Sequence, residues 1–236
     1  MPAETNIAAT AALLADPTRM LMVTALLDGR ALPAGELAYA AGISPQTASA
    51  HLSKLMGGGF LNLEKEGRHR YYRLSGGHIA EAIERLAAIH PPGPVRRKAL
   101  SPEARALRLA RCCYDHLAGR LGVAVTQQLC AKELIVSAPE KRFEITARGY
   151  DWFTELGLDV CAIKPGRRGL ARPCLDWTER FHHLGGPLGV QLLALLCDKR
   201  WLQRRPNSRA VHVTPLGRRE LSRQLGISES LWRTGD

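Results

Sequence analysis

Residues 44–59, SPQTASAHLSKLMGGG, predict one amphipathic helix with a defined start and a defined end. Ser44 is a typical N-cap residue, and Pro45 fits the first helical position. The run of glycines at 57–59 predicts the end of the helix. Apolar side chains recur three and four positions apart and predict a buried face of Ala48, Leu52, Leu55 and Met56. The outward face would carry Ser44, Gln46, Thr47, Ser49, His51 and Lys54.

A shorter helix is predicted immediately before this one. Residues 33–42 end in Gly42, which suits a left-handed C-cap, so that Gly42-Ile43 would form a tight turn. A supporting helix over 35–41 and a second helix from Ser44 then make a helix-turn-helix, whose second helix presents its N-terminal side chains to the major groove of DNA. Residues 7–28 predict two further helices that meet at Asp16-Pro17.

A basic β-hairpin is predicted after the second helix. Residues 60–65 and 70–74 alternate between apolar and polar side chains, and the connection between them contains Gly67. Cations at its tip suit the DNA backbone or an adjacent minor groove. They are Lys65, Arg68, His69 and Arg70. Residues 78–90 predict another amphipathic helix.

Together these segments resemble the ArsR-type (arsenic-repressor-like) winged helix-turn-helix regulators over roughly residues 7–90. The resemblance rests on residues 15–19 (ADPTR), 36–38 (ELA), 44–52 (SPQTASAHL) and 67–72 (GRHRYY). It implies a homodimeric repressor that binds operator DNA and releases it when an effector binds. Metal-sensing members carry two cysteines on the supporting helix, where this chain has Ala38 and Ala40. His78 and His90 do not reproduce the alternative metal site on the dimerisation helix.

We therefore expect a set of polar and basic side chains to contact double-stranded DNA. Gln46 suits an adenine edge and Lys54 a phosphate. Helix capping or phosphate contact is an equal alternative for Ser44, Gln46 and Thr47, and His51 has the alternative of packing on the supporting helix. The expected DNA-binding residues are Ser44, Gln46, Thr47, Ser49, His51, Lys54, Lys65, Arg68, His69 and Arg70.

The segment PPGP at 91–94 marks a domain boundary, and beyond it the chain repeats itself. Residues 110–123 match 171–190 apart from an insertion at 177–182, and TARG at 146–149 matches TPLG at 214–217. The predicted fold is mainly α with small β-hairpin wings. It comprises a winged helix-turn-helix DNA-binding and dimerisation domain at 1–90, a linker at 91–105, and two degenerate winged-helix-like repeats at 106–160 and 170–236. Each repeat would run helix, helix, hairpin, helix.

Both repeats bring cysteine, aspartate and histidine close together in sequence. If Cys113 and His116 lie on a helix, they share a face and could bind one ligand. Thiolate and imidazole suit zinc, copper or a thiophilic metalloid, and the vicinal Cys112-Cys113 pair suits thiol oxidation. The candidate effector or metal residues are Cys112, Cys113, Asp115, His116, Cys174, Asp176, Trp177, His182 and His183.

The sequence leaves other functions of the repeats open, and it identifies no cofactor. A small organic effector between the repeats would have Trp177, Trp152 or Trp201 to pack against. The cysteines also fit an apolar core, because free cysteine is among the most buried residue types. Dimerisation alone is a further alternative for the repeats.

Composition narrows the class of protein. The net charge of +11 suits an acidic partner, although residues 1–90 carry eight basic and eight acidic side chains and the excess lies beyond them. The longest apolar run, 187–197, is about half of what spans a bilayer, and no signal peptide is evident, so we expect a cytoplasmic protein with reduced thiols and no membrane partner. No catalytic motif is present, and we expect no enzyme. RNA binding is a weaker alternative, because stacking aromatics on the strands are limited to Tyr71 and Tyr72.

Overall fold

The computed structural model describes residues 7–66, 69–89, 101–205 and 208–232. The chain forms two compact units, Met1–Ile83 and Glu84–Asp236. The division lies ahead of the proline-rich segment that the sequence suggests as the boundary, and residues 90–100 are outside the described ranges. Within those ranges, no helix combines the length and the apolar character needed to cross a membrane.

The first unit contains a helix-turn-helix and a small antiparallel sheet. Its helices are α1 (Ile7–Leu14), α2 (Pro17–Ala25), α3 (Ala34–Ala41) and α4 (Pro45–Gly57), and α5 (Gly77–Ile89) continues into the second unit. Its strands are β1 (Leu32–Pro33), β2 (Leu61–Glu66) and β3 (His69–Leu74), in the order β1-β3-β2. The hairpin of β2 and β3 is the predicted wing.

Capping interactions fix where the helices of the first unit begin and end. Asp16 Oδ1 accepts a hydrogen bond from the Arg19 amide at 2.9 Å and starts α2. Ser44 Oγ accepts one from the Thr47 amide at 3.2 Å and starts α4. Gly42 ends α3 in the left-handed region, at φ 66°, where glycine has no steric penalty. The turn between α3 and α4 is therefore set by local sequence, as predicted.

Apolar side chains of α2, α3 and α4 form the core of the first unit. Met22, Leu37, Leu52 and Leu55 are completely buried, as is Ala48. Burying a leucine or methionine side chain contributes roughly 1.5–3 kcal/mol. The predicted inward face of α4 is confirmed for Ala48, Leu52 and Leu55, whereas Met56 is half-buried, and the opposite face is left at the surface.

The second unit consists of a leading helix and two halves with the same order of elements. The leading helix is α6 (Pro102–Leu109), which begins inside the predicted linker. The first half contains β4 (Arg111–Cys113), β5 (His116–Ala118), α7 (Gly119–Ala131), β6 (Ile135–Ala138), β7 (Arg142–Ile145) and α8 (Ala147–Leu156). The second half contains β8 (Arg172–Leu175), β9 (His182–Gly185), α9 (Pro187–Asp198), β10 (Leu202–Arg204), β11 (Val211–Val213) and α10 (Pro215–Leu225). A short 3-10 helix, Glu229–Leu231, follows.

Each half starts with a hairpin, so the prediction of a helix around Cys113 and His116 is wrong. Cys113 and His116 are directly opposite each other on β4 and β5, and Cys174 and His183 hold the same positions on β8 and β9. Tyr114 has a positive φ of 58° and closes the first hairpin. A separation of three residues fits a helix and a two-residue hairpin turn equally well, and pairing with distant residues decides between them.

That distant pairing is reciprocal between the halves. The Val211 amide donates to the Ala110 carbonyl at 2.9 Å, and the Phe143 amide donates to the Ala171 carbonyl at 3.0 Å. Ala110 and Ala171 each precede the first strand of a half, and each partner lies in the second hairpin of the other half. One apolar core runs through both halves. Neither half is therefore complete without the other.

Thr146 and Thr214 show how closely the halves correspond. Each threonine hydroxyl accepts a hydrogen bond from the amide three residues ahead, that of Gly149 at 3.0 Å and that of Gly217 at 2.9 Å. A Cβ on either glycine would come within 2.0 Å of a carbonyl oxygen, which explains why both positions are glycine. The matching TxxG segments thus build the same helix start twice.

Candidate DNA interface and buried cysteine–histidine cluster

The outward face of α4 presents the polar side chains that the sequence predicts, with one exception. Ser44, Gln46, Thr47, Ser49 and Lys54 are exposed. The hydroxyls of Ser44 and Thr47 are 3.0 Å apart and take part in the cap, and Ser49 Oγ donates to the Pro45 carbonyl at 3.1 Å. Gln46 and Lys54 are thus the exposed long side chains of this face.

His51 is the exception. Its side chain is partly buried, and Nδ1 lies 3.8 Å from Oδ1 of Asp16, the N-cap of α2. Arg19 and His51 contribute to keeping the pKa of Asp16 below its ordinary value, with the hydrogen bond from the Arg19 amide as the largest cause. His51 therefore links α4 to the start of α2 and faces away from the polar surface of α4.

The wing carries exposed cations close to its tip. Lys65 and Arg70 are exposed and directly opposite each other on β2 and β3. The predicted contact Arg68 lies outside the described residues, as does the side chain of His69. Arg73, also on β3, forms an ion pair with Glu64 at 3.2 Å. The described part of the wing thus keeps two basic side chains available at its end.

Four of the predicted effector residues come together in the second unit. One ligand atom from each of Cys113, His116, Cys174 and His183 lies within 4.8 Å of all the others, and all four side chains are buried. We call this group the cysteine–histidine cluster. The Sγ atoms of Cys113 and Cys174 are 3.9 Å apart, and the Nε2 atoms of His116 and His183 are 3.2 Å apart. Each half contributes one cysteine and one histidine from its first hairpin.

The two predicted aspartates lie next to the cluster, each beside the histidine of its own half. Asp115 Oδ1 is 2.8 Å from Nδ1 of His116. Asp176 Oδ2 is 3.3 Å from Nδ1 of His183, at ion-pair distance though not aligned as a hydrogen bond. A carboxylate beside Nδ1 favours a proton on that nitrogen and directs the lone pair of Nε2 into the cluster.

Asp176 is fully buried and is held by several donors. Its Oδ1 accepts from Arg111 at 2.7 Å and from the Thr178 hydroxyl at 2.8 Å, and its Oδ2 accepts from the Gly119 amide at 2.7 Å. Burial by itself raises the pKa of Asp176, but His183, Arg111 and Thr178 outweigh burial and hold this pKa well below its ordinary value. Asp176 is thus a stable carboxylate between Arg111, the first residue of α7 and the cluster.

The cysteines of the cluster are reduced and shielded. A hydrogen bond with the Cys174 sulfur and burial raise the pKa of Cys113 to about 12, so this thiol is protonated at neutral pH. All six cysteines lie in the described part of the chain, and no disulfide forms among them there. Cys112, although adjacent to Cys113, points into the apolar core, and Cys161 is exposed.

The remaining predicted effector residues do not enter the cluster. His182 is exposed, next to the buried His183. Trp177 lies on the inserted loop and is 37% exposed, with the Arg111 guanidinium 5.2 Å from its ring centroid. Sequence reasoning missed Arg111 as the partner of Asp176, because the residues are 65 positions apart and an arginine gives no local sign of burial.

Two of the tryptophans that the sequence offers to an organic effector pack in or against the apolar core. Trp201 is buried in the core, and Trp152 packs edge-on against Phe153 with the ring centroids 5.0 Å apart. The cavity between α7 and α9, lined by Leu117, Gly122 and Leu192 among others, measures about 10 Å³. A space of this size holds about one water molecule.

Comparison with known proteins identifies the family. The family model described as "Helix-turn-helix domain" matches residues 14–64. The HTH-type transcriptional regulator YdfF of Bacillus subtilis (strain 168) is 42% identical over 222 residues, which is 94% of this chain and 98% of YdfF. The similarity to YdfF therefore extends through both units.

Shorter relatives match part of the chain. The HTH-type transcriptional regulator CmtR of Mycobacterium tuberculosis (strain ATCC 25618 / H37Rv) is 42% identical over 76 residues, 32% of this chain and 64% of CmtR. The solution structure of M. tuberculosis CmtR, described as a cadmium metal-sensor, aligns with a TM-score of 0.31 and 35% identity, covering 40% of this chain and 98% of that one. On the strength of the YdfF match and the helix-turn-helix domain, the chain belongs to the HTH-type transcriptional regulators and is a DNA-binding regulator.

Proposed function

We propose that the protein binds operator DNA as a homodimer through α4 and the wing, and that a ligand held by the cysteine–histidine cluster controls this binding. The observation that carries the proposal is the convergence of Cys113, His116, Cys174 and His183 in the second unit, whereas the DNA-reading helix lies in the first. These two thiols and two imidazoles are buried and lie within 4.8 Å of one another, an arrangement that suits a shared ligand.

The DNA contacts divide into two kinds. Gln46, exposed in the first turn of α4, suits a base edge in the major groove. Lys54, Lys65 and Arg70 are exposed cations that suit phosphates, as does Arg68 on sequence grounds. The hydroxyls of Ser44, Thr47 and Ser49 are already hydrogen-bonded at the N-terminal end of α4. We propose that any DNA contact of these three residues is made at that end of the helix. A dimer would place two such helices about one DNA turn, roughly 34 Å, apart.

We propose that the second unit senses a ligand and does not read the DNA sequence. Each half has a helix, a hairpin and a helix after its first hairpin, and we infer that both halves are degenerate winged helices. The relative CmtR is described as a cadmium metal-sensor, which gives a precedent for control of such a regulator by an ion.

The DNA part of the proposal is tested with a duplex that the full-length protein selects from a random-sequence library. Gln46→Ala is expected to weaken binding of the selected duplex by about 1–3 kcal/mol and to relax specificity at one position. Lys65→Ala is expected to weaken the binding of all DNA sequences alike and to lower the number of ions released on binding by about one. Lys164→Ala, an exposed lysine of the second unit, is the matched control. Equal effects of the Lys65 and Lys164 variants would contradict the proposed interface.

A further inference from the structure

We propose that Cys113, His116, Cys174 and His183 bind one divalent ion of the zinc class in a closed tetrahedral site that joins the two halves of the second unit. The binding of the ion stands on the geometry of the second unit alone. Its effect on DNA affinity rests on the proposed function. Ion binding and its effect on DNA affinity are therefore tested by separate measurements.

The spacing of the ligand atoms fits a tetrahedral ion. With zinc–nitrogen distances of about 2.0–2.1 Å and zinc–sulfur distances of about 2.3 Å, tetrahedral ligands are about 3.3 Å apart for two nitrogens and about 3.8 Å apart for two sulfurs. The cluster has 3.2 Å between the histidine Nε2 atoms and 3.9 Å between the cysteine Sγ atoms. The longest separation within the cluster is at most 4.8 Å, so closing it around an ion needs a contraction of about 1 Å.

The surroundings of the histidines suit a cation between them. Asp115 and Asp176 lie beside the Nδ1 atoms of His116 and His183, which favours protons there. The two Nε2 atoms lie 3.2 Å apart in a buried space, a distance at which one proton between them makes a hydrogen bond and an ion in its place can accept both lone pairs. Carboxylate–histidine–metal arrangements of this kind orient the ring and increase its basicity as a ligand.

The fold brings the ligands together twice in the same way. Each half places a cysteine opposite a histidine in its first hairpin, Cys113 opposite His116 and Cys174 opposite His183. A Cβ on Gly122 would lie 3.5 Å from Cβ of His183, and one on Gly189 would lie 3.4 Å from Cβ of His116. Each half thus has a glycine on its helix where the histidine of the other half approaches. The ion would lie between the halves and cross-link them.

The donor set determines the class of ion. Two thiolates and two imidazoles in a tetrahedron favour zinc and similar soft or borderline ions, whereas magnesium and calcium prefer oxygen. All four positions are protein ligands and all are buried, which leaves no open position for a substrate. The site is therefore of the closed kind that serves structure or regulation and not catalysis.

The ion would also be connected to the backbone of the unit. Asp176, beside His183, accepts hydrogen bonds from Arg111 and from the amide of Gly119, which begins α7. A bound ion that positions His183 thus also positions the carboxylate that holds the start of α7. Loss of the ion is expected to loosen both halves, and not only the hairpins.

The experiment measures metal binding by the full-length protein, first stripped of metal under reducing conditions. Cobalt(II) is expected to bind one equivalent with the strong visible bands of a tetrahedral ion and a thiolate charge-transfer band, and one equivalent of zinc is expected to displace it. Cys113→Ser and His183→Gln are each expected to lower the affinity for zinc at least tenfold. The matched controls Cys161→Ser and His182→Gln change an exposed residue of the same type and are expected to bind like wild type.

Two further results separate misfolding from a wrong proposal. Wild-type protein with its native circular dichroism spectrum but no cobalt spectrum would overturn the site, as would zinc binding that the Cys113 and His183 variants leave unchanged. Where a variant fails to fold, the wild-type protein still gives a test, since one equivalent of zinc must raise its Tm and one of magnesium must not. Cobalt binding without any effect on the selected duplex would contradict the proposed control of DNA binding and leave the metal site standing.

Discussion

His116 and His183 face each other through their Nε2 atoms at 3.2 Å, although they are 67 positions apart in the chain. Each lies opposite a cysteine in the first hairpin of its half, and each has an aspartate beside its Nδ1. Because two halves of one unit supply matching parts, the cluster depends on the duplication as a whole. A change in either half is expected to affect the shared site.

Asp176→Asn tests the role of the buried carboxylate. The amide keeps the shape of Asp176 but loses the charge beside His183, and we expect zinc affinity to fall about 10–100-fold, the usual effect of removing such a partner. Asp115→Asn is expected to have a smaller effect, because the Asp115 side chain is 46% exposed. Zinc competition against a chromophoric chelator measures both, with the exposed Asp151→Asn as control. Wild-type affinity in the Asp176 variant would contradict this role.

Gly122→Ala and Gly189→Ala test the close packing between the halves. A Cβ at these positions would come within 2.6 Å of the Leu117 oxygen and 2.3 Å of the Leu184 oxygen, respectively. We expect each change to lower the free energy of unfolding of the second unit by about 1–3 kcal/mol, as overpacking does. Urea unfolding measures it. Gly35→Ala, on α3 with no atom within 4 Å of the new Cβ, should leave stability unchanged or slightly raised.

Proton release tests the state of the thiols. Since the pKa of Cys113 is raised to about 12, this thiol carries a proton at neutral pH in the metal-free protein and must lose it to bind an ion. At pH 7.5 we expect zinc binding to release at least one proton, and zinc affinity to fall as the pH falls. Calorimetry in buffers with different ionisation enthalpies counts the protons. Binding without proton release would show that thiolates are not the ligands.

Alkylation tests which cysteines the ion covers. In metal-free protein, opening of the second unit is expected to let a thiol reagent label Cys113 and Cys174 slowly, and one equivalent of zinc should suppress this labelling. Cys161 is exposed and should react equally fast with and without zinc. Mass spectrometry of digested protein assigns the sites. Equal labelling of Cys113 and Cys174 in both states would count against zinc at the cluster.

Local sequence signals were sufficient to predict the structure of the first unit but not that of the second. Asp16, Ser44 and Gly42 act through neighbours three or four residues away, so the starts and ends of α2, α3 and α4 could be predicted. The residue types of the cluster could also be predicted, because Cys, Asp and His recur in both repeats. Their arrangement could not, since β4 and β8 depend on partners from the other half, Val211 for Ala110 and Phe143 for Ala171.

The most direct test of metal control is the affinity of full-length protein for its selected duplex, measured by fluorescence anisotropy at buffered free zinc. With zinc bound, the wild-type protein is expected to bind the duplex about 5–150-fold more weakly, the usual range of coupling between two sites. The His183→Gln protein should bind equally well at both zinc levels. An unchanged or higher DNA affinity of wild-type protein that demonstrably holds one zinc would contradict the account.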